Sequence, residues 1–201
     1  AICDHPTIKA VSFVGSSDIA QYVYSRATSN GKRAQCMGGA KNHGIIMPDA
    51  NMDQAVKDIL GAAYGSAGER CMALPVVVPV GEGTAERFLE KMLPAIDSMR
   101  VGVSEDKEAD YGPVVTREHR DSIKAQVTKA IGEGAKLLVD GRDFSLQGHE
   151  NGFFIGPSLL DNVTPDMETY QDEIFGPVLQ IVRAKTFEEA IKLPSEHQYG
   201  N

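Results

Sequence analysis

Residues 51–80 constrain the fold more than any other part of the sequence. Met52, Ala55, Val56, Ile59, Leu60 and Ala63 recur at i, i+3, i+4, i+7, i+8 and i+11, the spacing of a helix with one apolar face. Asn51, with Gln54 three residues on, supplies the side-chain types of a capping box. The stripe runs into GSAGERCMALP (65–75), and Val76–Val80 then reads as a strand. The same alternation recurs along the chain. Ile8–Val14 reads as a strand, Gly15-Ser16-Ser17-Asp18 as a tight turn, and a helix follows with Ile19, Ala20, Val23, Tyr24 and Ala27 on one face, ended by Gly31. Lys32–Met37 and Gly44–Met47 read as short strands, and Ala85–Ile96 as a helix. Thr116 caps a longer helix through Ile123, Val127 and Ile131. Lys136–Val139, Phe153–Leu160 and Val178–Val182 are further strands, and Thr186 with Glu189 repeats the capping-box pattern. Strands alternating with helices predict an α/β layered domain, with a mainly parallel sheet and flanking helices.

Composition excludes several classes of function. The net charge of −8 over 201 residues argues against a nucleic-acid partner, which needs basic surfaces. No apolar run approaches the roughly 20 residues of a membrane span. Three cysteines, Cys3, Cys36 and Cys71, have neither framework nor metal-ligand spacing, so they read as free thiols in a reducing compartment with no metal site.

Taken by itself, Cys71 has two readings. A free cysteine is commonly a small buried hydrophobe. Against that, Arg70 is adjacent, and a cation can lower a thiol pKa. Gly65 and Gly68 also permit close backbone approach by a ligand, at a strand–helix junction of the kind α/β sites use. Cys3 and Cys36 lack these features and read as structural. Gly15-Ser16-Ser17 could present amides to a phosphate, or be an ordinary turn. Gly38-Gly39-Ala40-Lys41 reads as a chain reversal. In QDEIFGP (171–177), either Phe175 packs inward from a polar loop, or a carboxylate and an aromatic face a ligand.

Four segments in order, FVGSS (13–17), MGGAK (37–41), GERC (68–71) and DEIFGPV (172–178), resemble the aldehyde dehydrogenase superfamily over nearly all 201 residues. GAKNHGIIMPDAN (39–51), ERCMALPVVVPVGE (69–82) and ENGFFIGPSLLDNV (150–163) are most similar to its CoA-acylating, methylmalonate-semialdehyde branch. The resemblance implies that Cys71 is the catalytic thiol, forming a thioacyl enzyme. It places Glu173 on the nicotinamide ribose, Phe175 beside it, and Gly15 and Ser16 against the pyrophosphate of NAD. The family's glycine five residues after Gly15 is Ala20 here.

At Met37, hydrolytic members carry a glutamate that activates water. Methionine cannot take the proton, which fits CoA as the acyl acceptor. Arg70 would bind the carboxylate of a malonate-type semialdehyde. The implied reaction takes methylmalonate or malonate semialdehyde, NAD and CoA to propionyl-CoA or acetyl-CoA, CO2 and NADH. The alternatives are a hydrolytic enzyme giving a free acid, or an inactive fragment of either. Residues 1–36 would close the NAD-binding domain, and 37–201 would form a C-terminally truncated catalytic domain. The isolated chain is then expected to show little activity and weak NAD affinity. The parent enzyme would be a homodimer or tetramer of the bacterial cytoplasm or the mitochondrial matrix.

Overall fold

A computed structural model describes all 201 residues. The chain divides into two compact units, Ala1–Ala40 and Lys41–Asn201.

In the first unit, strand β1 (Ala10–Val14), helix α1 (Ser17–Ser29) and strand β2 (Arg33–Met37) form one strand–helix–strand unit. β1 and β2 pair in parallel, Ala10 opposite Arg33 and Val14 opposite Met37. A parallel pair cannot be closed by a hairpin, and α1 supplies the crossover. Gly31 turns the chain from α1 into β2 with φ of +69°, a conformation costly to residues with a side chain. Ala20 and Ala27 are buried on α1, but Ile19 and Tyr24, placed by periodicity on the same face, are 50% and 52% exposed. Two strands cover only a narrow stripe of the helix, and the small residues occupy it.

The second unit holds a five-stranded sheet. Its strands are β3 (His43–Ile46), β4 (Val76–Pro79), β5 (Lys136–Val139), β6 (Ser158–Asp161) and β7 (Val178–Ile181). The spatial order is β3-β4-β7-β6-β5; all neighbours are parallel except β5, which runs antiparallel to β6. Helices α2 (Met52–Tyr64), α3 (Thr84–Asp97), α4 (Arg117–Glu133), α5 (Glu168–Gln171) and α6 (Phe187–Glu196) flank it. Every residue of β4, β6 and β7 is buried, as expected of parallel strands covered on both faces.

The caps form much as the sequence indicates. Gln54 N–H donates to Asn51 Oδ1 at 3.2 Å, His119 N–H to Thr116 Oγ1 at 3.1 Å and Glu189 N–H to Thr186 Oγ1 at 3.2 Å. The reciprocal half of each box goes elsewhere: the Gln54 amide donates to Asp58, and Glu189 accepts from Lys185 N–H.

Two expectations are corrected. Ile131 is exposed, because Ala130 takes its place on the buried face of α4. The strand expected at 153–160 begins only at Ser158. There Gly156 crosses Gly141 so closely that a Cβ on Gly141 would lie 2.0 Å from the Gly156 carbonyl oxygen. No helix is long and apolar enough to cross a membrane.

This topology positions the site. β3, β4 and β7 are consecutive parallel neighbours, so the segments leading into them, 41–42, 65–75 and 172–177, meet at the amino edge of the sheet. Ligands in open α/β sheets usually sit beyond the carboxyl ends of the strands. Here Cys71, Glu173 and Phe175 lie beyond the amino ends of β4 and β7, whereas in the first unit Gly15 and Ser16 follow the carboxyl end of β1.

Candidate active site

The thiol loop begins where α2 breaks. After Tyr64 the chain makes one tight turn, Gly65–Gly68, in which Ser66 (φ 55°), Ala67 (φ 54°) and Gly68 (φ 69°) all enter the left-handed region. Each residue with a side chain gives up about 1–2 kcal/mol there, and such strain persists only where surroundings enforce it. The surroundings are visible at Gly68: a Cβ there would lie 2.2 Å from the carbonyl oxygen of Gly176. The thiol loop and the 172–177 loop therefore touch backbone to backbone.

Cys71 is exposed. Of its two readings, the buried hydrophobe is not what the chain adopts. Asn42 fixes the loop by donating from Nδ2 to the carbonyls of Cys71 at 2.9 Å and Ala73 at 2.7 Å. Arg70, although exposed, turns back onto the end of α2. Its Nη2 donates to the carbonyls of Gly61 at 2.6 Å and Ala62 at 3.3 Å, a second bond on each, since Gly61 also accepts from Gly65 N–H and Ala62 from Leu74 N–H at 3.1 Å. Gly65 makes room for this, since a Cβ there would lie 2.6 Å from that nitrogen.

The second loop is gripped from two sides. Lys41, wholly buried, donates from Nζ to the carbonyls of Thr169 at 2.8 Å and Asp172 at 2.6 Å. His119, at the start of α4, donates from Nε2 to the Phe175 carbonyl at 2.7 Å. Phe175 itself is left-handed at φ 54°, and its ring is 38% exposed, so it does not pack inward. Glu69 Oε1 lies 3.4 Å from His119 Nε2 and accepts from Val115 N–H at 3.4 Å; burial pushes its carboxyl up. Ile174 is buried and Glu173 half-buried, so the loop is anchored between two residues that reach its surface.

Cys71, Glu173 and Phe175 thus lie on two loops in contact, while Gly15, Ser16 and Met37 belong to the first unit. The Gly15 amide donates to the Met37 carbonyl at 3.1 Å. A phosphate at that turn would therefore have to use the amides that follow. Ser16 begins α1 without a side-chain cap bond. Cys3 and Cys36 are half-buried and free. No three His, Cys, Asp or Glu side chains gather as a metal would require. Sequence reasoning missed Lys41, Asn42 and His119. Only the Thr116 cap gave a hint of His119, by fixing it in the first turn of α4.

Burial pushes Lys41 down from 10.5 to about 7, against the opposing pull of Asp172 and Glu173. The sign of the consequence is definite. Above about 7 the folded chain has released a proton that the unfolded chain holds up to roughly 10.4. Stability should therefore rise with pH between about 7.5 and 9.5, by up to about 1.4 kcal/mol per pH unit from this group. The nearby His43 and His197 are pushed down from 6.5 by burial and titrate below that window. Urea unfolding across the window should show the slope in the wild-type chain and lose it in Lys41→Met. Equal slopes would mean that Lys41 does not titrate there.

The aldehyde dehydrogenase family model matches residues 1–201. A malonate-semialdehyde dehydrogenase of Pseudomonas aeruginosa is 49% identical over 98% of this chain and 39% of its own length. The acylating, mitochondrial methylmalonate-semialdehyde/malonate-semialdehyde dehydrogenase of Rattus norvegicus is 44% identical over 100% of this chain and 37% of its own. Among solved structures, a Sinorhizobium meliloti protein assigned as a methylmalonate-semialdehyde dehydrogenase, complexed with NAD, superimposes with a TM-score of 0.97. It is 61% identical, covering 100% of this chain and 41% of that one. The chain thus spans about two fifths of the length of these relatives. By the match along its whole length, the chain belongs to the aldehyde dehydrogenase family.

Proposed function

We propose that this chain is the thiol-bearing part of an NAD-dependent, CoA-acylating oxidoreductase that converts methylmalonate or malonate semialdehyde to propionyl-CoA or acetyl-CoA. Residues 1–36 close its NAD-binding domain and 37–201 carry the thiol. One observation carries the reading. An exposed cysteine follows a strained turn that abuts the loop bearing Glu173 and Phe175; by the resemblance, a methionine, Met37, stands where hydrolytic relatives have a glutamate. The names of the relatives point the same way.

In this reading the Cys71 thiolate attacks the aldehyde carbon. The S–C bond forms as the carbonyl π pair moves to oxygen, leaving a hemithioacetal on the chain. NAD, when bound, supplies the acceptor for the hydride that this carbon loses. A thioester on Sγ remains. A half-buried carboxylate at Glu173 and an exposed ring at Phe175 fit a nucleotide. Glu173 would accept hydrogen bonds from the nicotinamide ribose, Phe175 would pack beside it, and Gly15 and Ser16 would flank the pyrophosphate. Arg70 would take the substrate carboxylate bidentately by exchanging the Gly61 and Ala62 carbonyls for it. That carboxylate leaves as CO2 in the overall reaction. A thioether at Met37 cannot accept a proton, so water is not activated there. The CoA thiol, with a pKa of about 8.5 if it resembles a free cysteine, needs less help and displaces Cys71.

The test is product analysis of the full-length enzyme given the semialdehyde and NAD. With CoA, acyl-CoA should accumulate over many turnovers. Without it, NADH should appear as a burst of about one equivalent per thiol. Rapid multiple turnover to a free acid without CoA would overturn the acylating reading in favour of the hydrolytic one.

A further inference from the structure

Two adjacent residues, Lys41 and Asn42, reach in different directions into the two loops of the site. Lys41 takes the carbonyls of Thr169 and Asp172; Asn42 takes those of Cys71 and Ala73. Successive side chains of an extended chain point to opposite sides, and the pair lies directly before β3 (His43–Ile46). Every acceptor is a main-chain carbonyl, and each gripped carbonyl lies beside or within a proposed functional stretch. Asp172 precedes Glu173, and Cys71 carries the thiol.

We propose that Lys41 and Asn42 are positioning residues, a double clamp that sets the spacing between the thiol loop and the loop bearing Glu173 and Phe175. The link between this spacing and cofactor binding rests on the reading of Glu173 given above; the clamp itself does not.

The chemistry suits the task. A lysine ε-nitrogen, as ammonium or as amine, has N–H groups for both carbonyls, and the asparagine amide has two N–H donors for its own pair. A buried lysine is tolerated when its donors are used. Both partners of each clamp are backbone, so a side chain cannot relax without moving the loop it holds. His43 extends the anchorage: Nε2 lies 2.8 Å from the Tyr170 hydroxyl, on the same short helix that Lys41 grips. Misplacement of reacting groups by about 1 Å can cost on the order of 100-fold in rate.

The experiment uses the full-length enzyme in four forms: wild type, Lys41→Met, Asn42→Ala and Glu173→Gln. Three quantities are read: hydrogen exchange by peptide, NADH affinity, and the rate of Cys71 alkylation by iodoacetamide. Lys41→Met should accelerate exchange across 169–176 and weaken NADH binding by about tenfold, leaving exchange at 71–74 and alkylation within about twofold. Asn42→Ala should do the reverse, moving exchange at 71–74 and the alkylation rate by about fivefold or more while sparing NADH. A structural role without positioning would loosen both loops together, and that result overturns the clamp.

If Lys41→Met does not fold, Asn42→Ala decides: unchanged exchange at 71–74 overturns the proposal and selective acceleration there supports it. Unaltered NADH affinity in Glu173→Gln overturns the cofactor reading of Glu173, while the exchange pattern still decides the clamp.

Discussion

Cys71→Ser should leave the enzyme folded and remove its activity by on the order of 1,000-fold or more, the scale of loss when a covalent nucleophile is deleted. Oxygen replaces sulfur in nearly the same volume at an exposed position. Surface replacements of this kind shift stability by only about 0.5 kcal/mol. The chemical change is much larger. A thiol titrates near 8.5 and is in part thiolate at neutral pH, whereas a serine hydroxyl needs an adjacent base to become a nucleophile. The resemblance puts methionine where hydrolytic relatives have a glutamate, so in that reading the usual family base would be absent. The first-turnover burst of NADH should vanish, and intact-mass analysis of enzyme quenched during turnover should lose the acyl adduct. A serine variant retaining more than about a tenth of the wild-type burst would remove Cys71 from the covalent step.

How legible this site was depends on the range of the interactions that build it. The α2 stripe from Met52 to Ala63 and the caps at Asn51, Thr116 and Thr186 are encoded within four residues of themselves, so the sequence displays them. The apolar runs of β4 and β7 show for the same reason. The clamps are different. Lys41 binds carbonyls 128 and 131 residues away, and a carbonyl is offered by every residue type. No pattern of side chains can announce that partnership. Ser66, Ala67 and Phe175 pose a second problem. They adopt positive φ without being glycine, because the fold around them enforces the conformation that their own preferences resist. Cys71 and Glu173 were reached through resemblance to a family, and Arg70 shows its limit: the resemblance gave it a ligand, while the structure has its guanidinium on the end of α2. The two statements are compatible only if a substrate carboxylate competes successfully for the guanidinium. A charged acceptor makes a stronger hydrogen bond than a neutral carbonyl, so under the proposed function a bound carboxylate would favour that exchange.

Gly68→Ala should be among the most damaging small substitutions in the chain, costing about 3 kcal/mol or more. Two independent terms act at this position. With φ at +69°, an alanine is held in the left-handed region at about 1–2 kcal/mol. Its methyl carbon would also lie 2.2 Å from the Gly176 carbonyl oxygen, 2.5 Å from the carbonyl carbon and 3.1 Å from the Pro177 nitrogen. All three are backbone atoms, so no rotamer change can clear them. Either the thiol loop or the 172–177 loop must withdraw, and the second is held by Lys41 and His119. Gly132→Ala is the matched control. It adds the same methyl inside α4, where nothing lies within 4 Å and φ is not positive, and should stabilise by about 0.5–1 kcal/mol. The opposite signs follow from conformation and proximity alone, since the residue change is identical. Urea denaturation of both variants measures them side by side. A loss below about 1 kcal/mol for Gly68→Ala would place it among ordinary substitutions, meaning that the two loops part easily and that their contact is not what holds Cys71 near Glu173. A large loss, with NADH affinity falling in the variant that remains folded, would identify Gly68 as the point where the geometry of the thiol depends on that of the nucleotide loop.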